Sequence, residues 1–477
     1  MTTSTTPSIT AAAPLFDAVQ FKAGDGLPPE TRGLAIAALL IAVALATLDT
    51  AIANTALPAM AIDLHVTPAS SVWIATTYQL AMICALLPLA ALGEIVGYRR
   101  IYIGGIAVFT LASLLCAVAW SLPTLAAARF LQGLGGAGIM SVNTALIRFI
   151  YPTRSLGRGV GLNTLIVAVS FTVGPTVASA ILAIAPWPWL FAVNVPLGLL
   201  ALAFSVKALP QTPLSTHPFD IQTAILNAGT FGLLILAIGE GAHQASGLTV
   251  AIELIAALTC GLLLLRRQAS HPAPMLPVDL FKLPVFSLSA ITAVCSFAAQ
   301  GLAFVSLPFF FHHDLGRSQV EIGLLLTPWP AAVAIAAPLA GRLSDRYPAG
   351  MLGGFGLITL CLGMILMALL PSSPSVFDIS WRMVVCGAGF GFFQSPNLKA
   401  LMTSAPAHRS GGASGIVATA RLLGQTLGTA LVALCFSAST LHGAKIALAL
   451  GAGFAGAASI ASFLRLTVSK TKGIAAV

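Results

Sequence analysis

The chain has 477 residues, 57% of them hydrophobic and 8% charged, with a mean hydropathy of +0.95. A soluble domain carries about 25% charged residues, so this depletion, with its repeated long apolar runs, excludes a soluble domain and requires a polytopic α-helical membrane protein; a β-barrel would show short alternating segments instead. The net charge of +9 is spread over short loops with no basic stripe, which excludes nucleic acid as a partner.

Residues 1–32 have no apolar core of a signal peptide and are rich in Thr, Ala and Pro, so a disordered cytoplasmic N-terminus is expected, with the first helix as an uncleaved anchor. Fourteen spans follow, near 33–57, 69–91, 100–119, 123–148, 158–184, 187–208, 219–240, 247–266, 284–310, 319–340, 350–370, 379–404, 410–437 and 443–466. They are numbered helices 1 to 14. With the N-terminus in the cytoplasm, 18 of the 23 Lys and Arg fall on the cytoplasmic side, among them Arg99, Arg100, Arg148, Arg154, Lys207, Arg267, Lys282, Arg342, Lys399 and Arg465. Only Arg317, Arg382 and Lys445 fall outside, and Arg129 and Arg421 lie within helices. That asymmetry sets both termini in the cytoplasm.

Helix 1 carries Asp49 well inside GLAIAALLIAVALATLDTAIANTALP (33–58). An ionisable group at that depth costs at least ~3 kcal/mol and is a functional hypothesis by default. Asp49 lies ~24 Å from the cytoplasmic end of helix 1 and Arg129 ~9 Å from the opposite end of helix 4, so the two are at similar depth. Burial favours the neutral form of a carboxylate and a nearby arginine favours the anion, so an acid set between them can load and release a proton. The alternative reading of the same residues is a structural ion pair. Arginine keeps its charge, so Arg129 would bias Asp49 rather than carry the proton.

The chain repeats weakly. Helix 4 runs from Arg129 through FLQGLGGAGIMSV to Asn143, and helix 12 from Arg382 through MVVCGAGFGFFQSP to Asn397, an offset of ~253 if the arginines correspond. Glu94 in the loop after helix 2 and Asp345 in the loop after helix 10 differ by ~251. The expected organisation is a six-helix bundle over 33–209, two inserted helices over 210–283, a second six-helix bundle over 284–466 and a cytoplasmic tail over 467–477. Parallel halves are a transporter design with the substrate site between them near the midplane. The seven cysteines lie in apolar runs without CxxC or Cys/His grouping, so inert buried thiols and no metal site are expected. No HExxH, GxSxG or P-loop is present, which argues against an enzyme and against ATP-driven export.

Six stretches resemble one known family, the major facilitator superfamily, in its fourteen-helix drug:proton antiporter (multidrug efflux) branch. They are LDTAIANTALP (48–58), LGEIVGYRR (92–100), RFLQGLGGAG (129–138), VGPTVAS (173–179), WPWLFAVNVPLG (187–198) and RLLGQTLGTA (421–430). The stretch ending in LGEIVGYRR departs from the superfamily loop motif in having Ala90 for the first Gly and Glu94 for Asp, and VGPTVAS keeps Gly174 and Pro175 while Ser170, Ala178 and Ser179 stand where Gly is usual.

The resemblance implies an all-α major facilitator fold and proton-coupled efflux of amphipathic drugs by alternating access. The driver would be the proton gradient, with no cofactor, in a monomer of the bacterial cytoplasmic membrane. Proton coupling would fall to Asp49 and Arg129. A conformational latch would involve Glu94, Gly97, Arg99, Arg100 and Asp345. Helix packing and the antiport seal would involve Gly133, Gly136, Gly174 and Pro175. Asn54, Gln132, Asn143, Asn163, Gln300, Gln394 and Asn397 are candidate cavity linings; for each, an interhelical hydrogen bond is the alternative. Phe297, Phe304, Trp329 and Phe393 are candidates for an aromatic wall, and Arg421 reads as a packing residue rather than a substrate ligand. A dedicated exporter of one metabolite is the competing functional reading.

Overall fold

The computed structural model describes residues 26–242, 245–270, 277–406, 410–439 and 441–474. Among the described residues there is no strand, and fourteen helices are long and apolar enough to cross a membrane. They are Pro29–Asp63, Pro68–Val96, Tyr98–Ala117, Leu122–Ile150, Thr153–Leu182, Pro188–Ala208, Ile221–Ala242, Gly247–Ala269, Pro284–Asp314, Gln319–Leu343, Ala349–Ala368, Val376–Ser404, Gly412–Ala438 and Gly443–Thr467. These are helices 1 to 14 in that order. The chain is a multi-pass membrane protein: in lipid each span must satisfy its own backbone, which a helix does internally. The end of the molecule bearing Pro29 and the loop arginines is called here the basic end, the other the far end.

Several helix ends differ from expectation, and two of them cut into the expected terminal segments. Helix 1 starts at Pro29, so 29–32 of the expected disordered segment are helical; Pro at the first turn loses no intrahelical bond. The last helix runs on to Ile474 through most of the expected tail. Residues 1–25 and 475–477 of those two expectations lie outside the described residues.

The spans are sorted by how much protein surrounds them. Helix 9 is the most enclosed, 78% of its apolar window being buried, whereas helix 8 is at 11% and helix 7 at 22%. The inserted pair is therefore a peripheral hairpin. Helix 7 lies along both helix 2 and helix 13, with Gly239 against the Trp73 ring and Asn227 donating to the Cys84 carbonyl at 2.9 Å. At the basic end the hairpin is clamped by Asp220, which accepts from Thr223 N and from Arg267 at 3.0 and 3.1 Å. Burial alone would raise the Asp220 carboxyl, but the hydrogen bonds from Arg267 and Thr223 outweigh it and lower it to about 2.

Glycine lets helices approach where the bundles are tightest. A Cβ on Gly133 would lie 2.3 Å from the Tyr78 carbonyl oxygen, and one on Gly387 would lie 2.2 Å from that of Trp329. Gly135 sits on the backbone of Phe109 and Gly389 on that of Leu360. The two halves therefore superpose helix 4 on helix 12 with an offset of 254, which also pairs Asn143 with Asn397. In that register Arg129 corresponds to Met383, and Arg382 to Ala128. The arginines matched in the sequence are thus not equivalent: one residue of slip is 100° of helix face. Arg382 instead pairs with Asp378 at 3.1 Å and bonds the Leu366 carbonyl near the far end of its own bundle.

The bundles meet at the far end along helices 5 and 10. Thr176 and Thr327 hydroxyls are 2.8 Å apart, and Ser179 Oγ donates to the Gln319 carbonyl at 2.8 Å. Gly323 is pressed between Ser179 Oγ and the Pro175 carbonyl.

Candidate functional site: a sealed carboxylate cluster

Asp49 lies at the middle of helix 1, 1% exposed, and collects side chains from two other helices. Arg129 Nη1 donates to Asp49 Oδ2 at 2.5 Å and to Gln132 Oε1 at 2.6 Å. Gln132 Nε2 donates to Asp49 Oδ1 at 2.8 Å and to Ser113 Oγ at 2.9 Å. Asn194 Nδ2 donates to the same Oδ1 at 2.9 Å. Arg129 and Gln132 come from successive turns of helix 4, spacing that puts them on one face. Asn194 comes from helix 6, which breaks after Ala192. Pro196 lacks the N–H that would bond Ala192, and the break there brings the Asn194 amide to helix 1.

The cation is caged as thoroughly as the anion. Arg129 Nε donates to the Ile74 carbonyl at 3.1 Å, and its guanidinium lies 4.3 Å from the Tyr78 ring centroid and 5.5 Å from that of Phe191. Gly133 and Gly136 make this possible, because they let helix 4 settle onto Tyr78, which donates to the Ala46 carbonyl at 3.3 Å. A buried ion pair is sustained only if further hydrogen bonds satisfy its remaining donors and acceptors. Three donors on the carboxylate and two aromatic faces on the guanidinium meet that condition.

The structure therefore joins Asp49 and Arg129, as their depths imply, and moves Gln132 from the expected cavity lining into this cluster, where it is 0% exposed. Sequence reasoning missed Asn194, Ser113 and Tyr78. Asn194 had a signal, a polar residue two before Pro196 inside an apolar run. Ser113 and Tyr78 had none, since helices 2 and 3 carry many such residues.

The other expected sites are dispersed. Glu94 Oε2 faces His217 Nε2 at 3.3 Å and the Glu94 carbonyl accepts from Ser215 at 2.7 Å. Arg99 donates to the Val206 carbonyl at 2.5 Å, and Thr212 accepts from Tyr98 N. Gly97 turns the chain with φ +99, a conformation side chains resist. The loop after helix 2 is thus clasped by the strap 209–219 leading to helix 7. Among the described residues Arg100 reaches only the Val96 carbonyl, at 3.5 Å. Asp345 pairs with Lys399 at 2.5 Å within the second bundle, away from Glu94.

Gly174 packs on Ala51 of its own bundle, while its neighbour Pro175 turns its carbonyl to Gly323 of the other. Asn143 donates to Asn163 at 2.9 Å. Gln300 accepts from Gln425 at 3.2 Å. Asn54 is 7% exposed, and Gln394 is partly buried on helix 12. Asn397 is a correction: it donates to the Ser289 carbonyl and accepts from Arg465, 3% exposed, so it ties helices 9, 12 and 14 together instead of lining a cavity. The aromatic wall is a correction too: Trp329 and Phe393 are 0% exposed, and Phe304 packs edge-on to Trp329 and to Phe171 of the other bundle. Among the described residues no group of three His, Cys, Asp or Glu could hold a metal.

The sequence profile described as Major Facilitator Superfamily matches residues 39–429. The chain belongs to the Major Facilitator Superfamily. This superfamily member is 52% identical to "Uncharacterized transporter YebQ" of Escherichia coli (strain K12), over 94% of this chain and 98% of that one. It is 30% identical to "Riboflavin transporter RibZ" of Clostridioides difficile (strain 630), covering 85% and 89%, and 30% identical to "Multidrug efflux pump LfrA" of Mycolicibacterium smegmatis, covering 87% and 84%. Its fold matches a bacterial homologue of the lysosomal transporter Spinster in an inward-facing, unoccupied conformation, with a TM-score of 0.68, 15% identity and coverage of 92% and 98%. The chain is a major facilitator transporter, and not an enzyme.

Proposed function

We propose that this transporter exports amphipathic compounds in exchange for protons, by alternating access, from a bacterial cytoplasm with both termini inside. The observation that carries this reading is Asp49, an acid at mid-depth held by Arg129, Gln132 and Asn194 from two further helices. Drug efflux is favoured by relatives such as LfrA and "Multidrug resistance protein Stp" of Mycobacterium tuberculosis, 32% identical over 81% of this chain. On this reading the far end faces outside, and the contacts through Thr176, Ser179 and Gly323 support a state closed on that side. Protonation of Asp49 removes the charge that Arg129 and Asn194 grip, which loosens helix 1 from helices 4 and 6 and lets that seam part. Deprotonation towards the cytoplasm restores the grip. One proton exchanged for a neutral substrate moves one charge, which contributes ~2.3 kcal/mol per 100 mV, and the pH gradient adds ~1.4 kcal/mol per unit.

The test is efflux of a panel of amphipathic dyes, ethidium included, from whole cells carrying wild type or Asp49→Asn, with and without a proton uncoupler. Wild-type efflux should collapse with the uncoupler and be missing in Asp49→Asn. Full efflux by Asp49→Asn would sink the assignment. RibZ favours a second reading, export of one endogenous metabolite by the same mechanism; in that case no dye on the panel is exported.

A further inference from the structure

We propose that Arg421 is the anion-binding residue of the transport cavity, and that the preferred substrates are amphiphiles bearing a carboxylate or similar oxyanion. This deepens the efflux reading and rests on it.

Three other arginines held within the helical bundles have their acceptors. Arg129 has Asp49, Gln132 and the Ile74 carbonyl. Arg382 has Asp378 and the Leu366 carbonyl. Arg465 has Asn397, Ser289 and Ser462. Arg421 has none among the described residues: no carboxylate, hydroxyl or carbonyl accepts from it, and its Nε is shut off from solvent. An arginine presents five donors in a fixed fork and keeps its charge, so Arg421, part-buried with its Nε shut off and no protein acceptor, leaves a fork open to an anion.

Its position is deep in the span, on the face of helix 13 that meets the neighbouring helices of its bundle. Ser414, Val417, Arg421 and Gln425 follow one another at three- and four-residue spacing along one face of helix 13. Ser414 reaches the Met402 sulfur at 3.8 Å, Val417 packs against the apolar cluster that includes Leu401, and Gln425 donates to Gln300. That face is therefore turned to helices 9 and 12. Arg421 is nine residues from Gly412, about 13 Å inside the basic end, beyond the reach of snorkelling to the surface. Gln394 lies at nearly the same depth on helix 12, ten residues before Ser404.

One turn away, the close approach of Gly424 to Phe297 brings an apolar surface beside the charge, with Phe297 edge-on to Phe390 at 5.4 Å. A planar carboxylate matches the guanidinium fork, and the apolar packing around Phe297 keeps the surroundings of the charge low in polarity. Asp49 does not compete for Arg421, being already committed to Arg129. A monoanion leaving while one proton enters moves two charges per cycle in the direction an inside-negative potential favours.

The experiment uses full-length protein in lipid nanodiscs, with rhodamine B, which has a free carboxylate, and its ethyl ester, which lacks one. Fluorescence polarisation gives each Kd. Wild type should bind rhodamine B at least ten-fold tighter than the ester. Arg421→Gln should erase that preference by weakening rhodamine B alone, and Arg421→Lys, which keeps the charge, should retain part of it. Equal affinities in wild type, no binding of either dye, or an equal loss of both in Arg421→Gln would overturn the proposal. Equilibrium binding needs no proton gradient. A carboxylate preference without uncoupler-sensitive efflux therefore refutes the efflux reading and leaves the anion site, and coupled efflux without the preference does the reverse.

Discussion

Asn194 Nδ2 lies 2.9 Å from Asp49 Oδ1, so the break in helix 6 is bonded directly to the middle of helix 1. A hydrogen bond to a charged group contributes roughly 1.5–3 kcal/mol. Asn194→Ala should lower thermal stability and reduce coupled efflux by about ten-fold, roughly 1.4 kcal/mol of coupling. Thermal unfolding and proton-driven dye uptake into everted vesicles measure the two effects. Unchanged transport would show the bond to be scaffolding only.

Removing one partner of a buried ion pair leaves the other uncompensated, which costs roughly 3–5 kcal/mol. Asp49→Asn should therefore be less stable than the double variant Asp49→Asn/Arg129→Gln. Neither should show coupled efflux. The two losses separate the structural part of the pair from its transport part, and a double variant that regains coupled efflux would refute the role given to Asp49.

Gly323 faces Ser179 and Pro175 across the seam between bundles, and a Cβ there would fall 2.2 Å from the Pro175 carbonyl oxygen. Overpacking of this kind costs roughly 1–3 kcal/mol. Gly323→Ala should therefore shift the population towards the state in which helices 5 and 10 are apart. Spin labels near the far ends of those helices should show a longer mean distance in the variant, with dye binding retained; an unchanged distance distribution would mean the seam is not the moving contact.

Asp220 predicts a pH dependence for the inserted hairpin. Its carboxyl falls from the ordinary 3.8 to about 2 in the folded protein. A depressed folded value means the contribution is complete above about pH 4 and lost as the pH falls through about 2. The difference in Tm between wild type and Asp220→Asn should be constant from neutral pH to about pH 4 and shrink below that. A difference that persists at pH 2 would show that Arg267 holds the hairpin without the charge on Asp220.

The fourteen spans were legible because lipid imposes one condition on every span: about 20 apolar residues in a helix that bonds itself. Asp49 and Arg129 were legible for the same reason, since a charge in such a run is conspicuous and depth along a helix is simple arithmetic. Facing is different, because it depends on rotation, and 100° per residue makes a single slip decisive. The alignment of Arg129 with Arg382 failed on that slip, and glycine contacts on Tyr78 and Trp329 corrected it. Sequence composition by itself determined that this chain lives in a bilayer, how often it crosses, and which acid lies deep inside a span. Only tertiary packing decided that Gln132 and Asn194 hold that acid, that Asn397 belongs to Arg465, and that Arg421 is left without a partner. Hydrogen bonds between helices are short-range and directional, so they depend on positions that no single helix fixes.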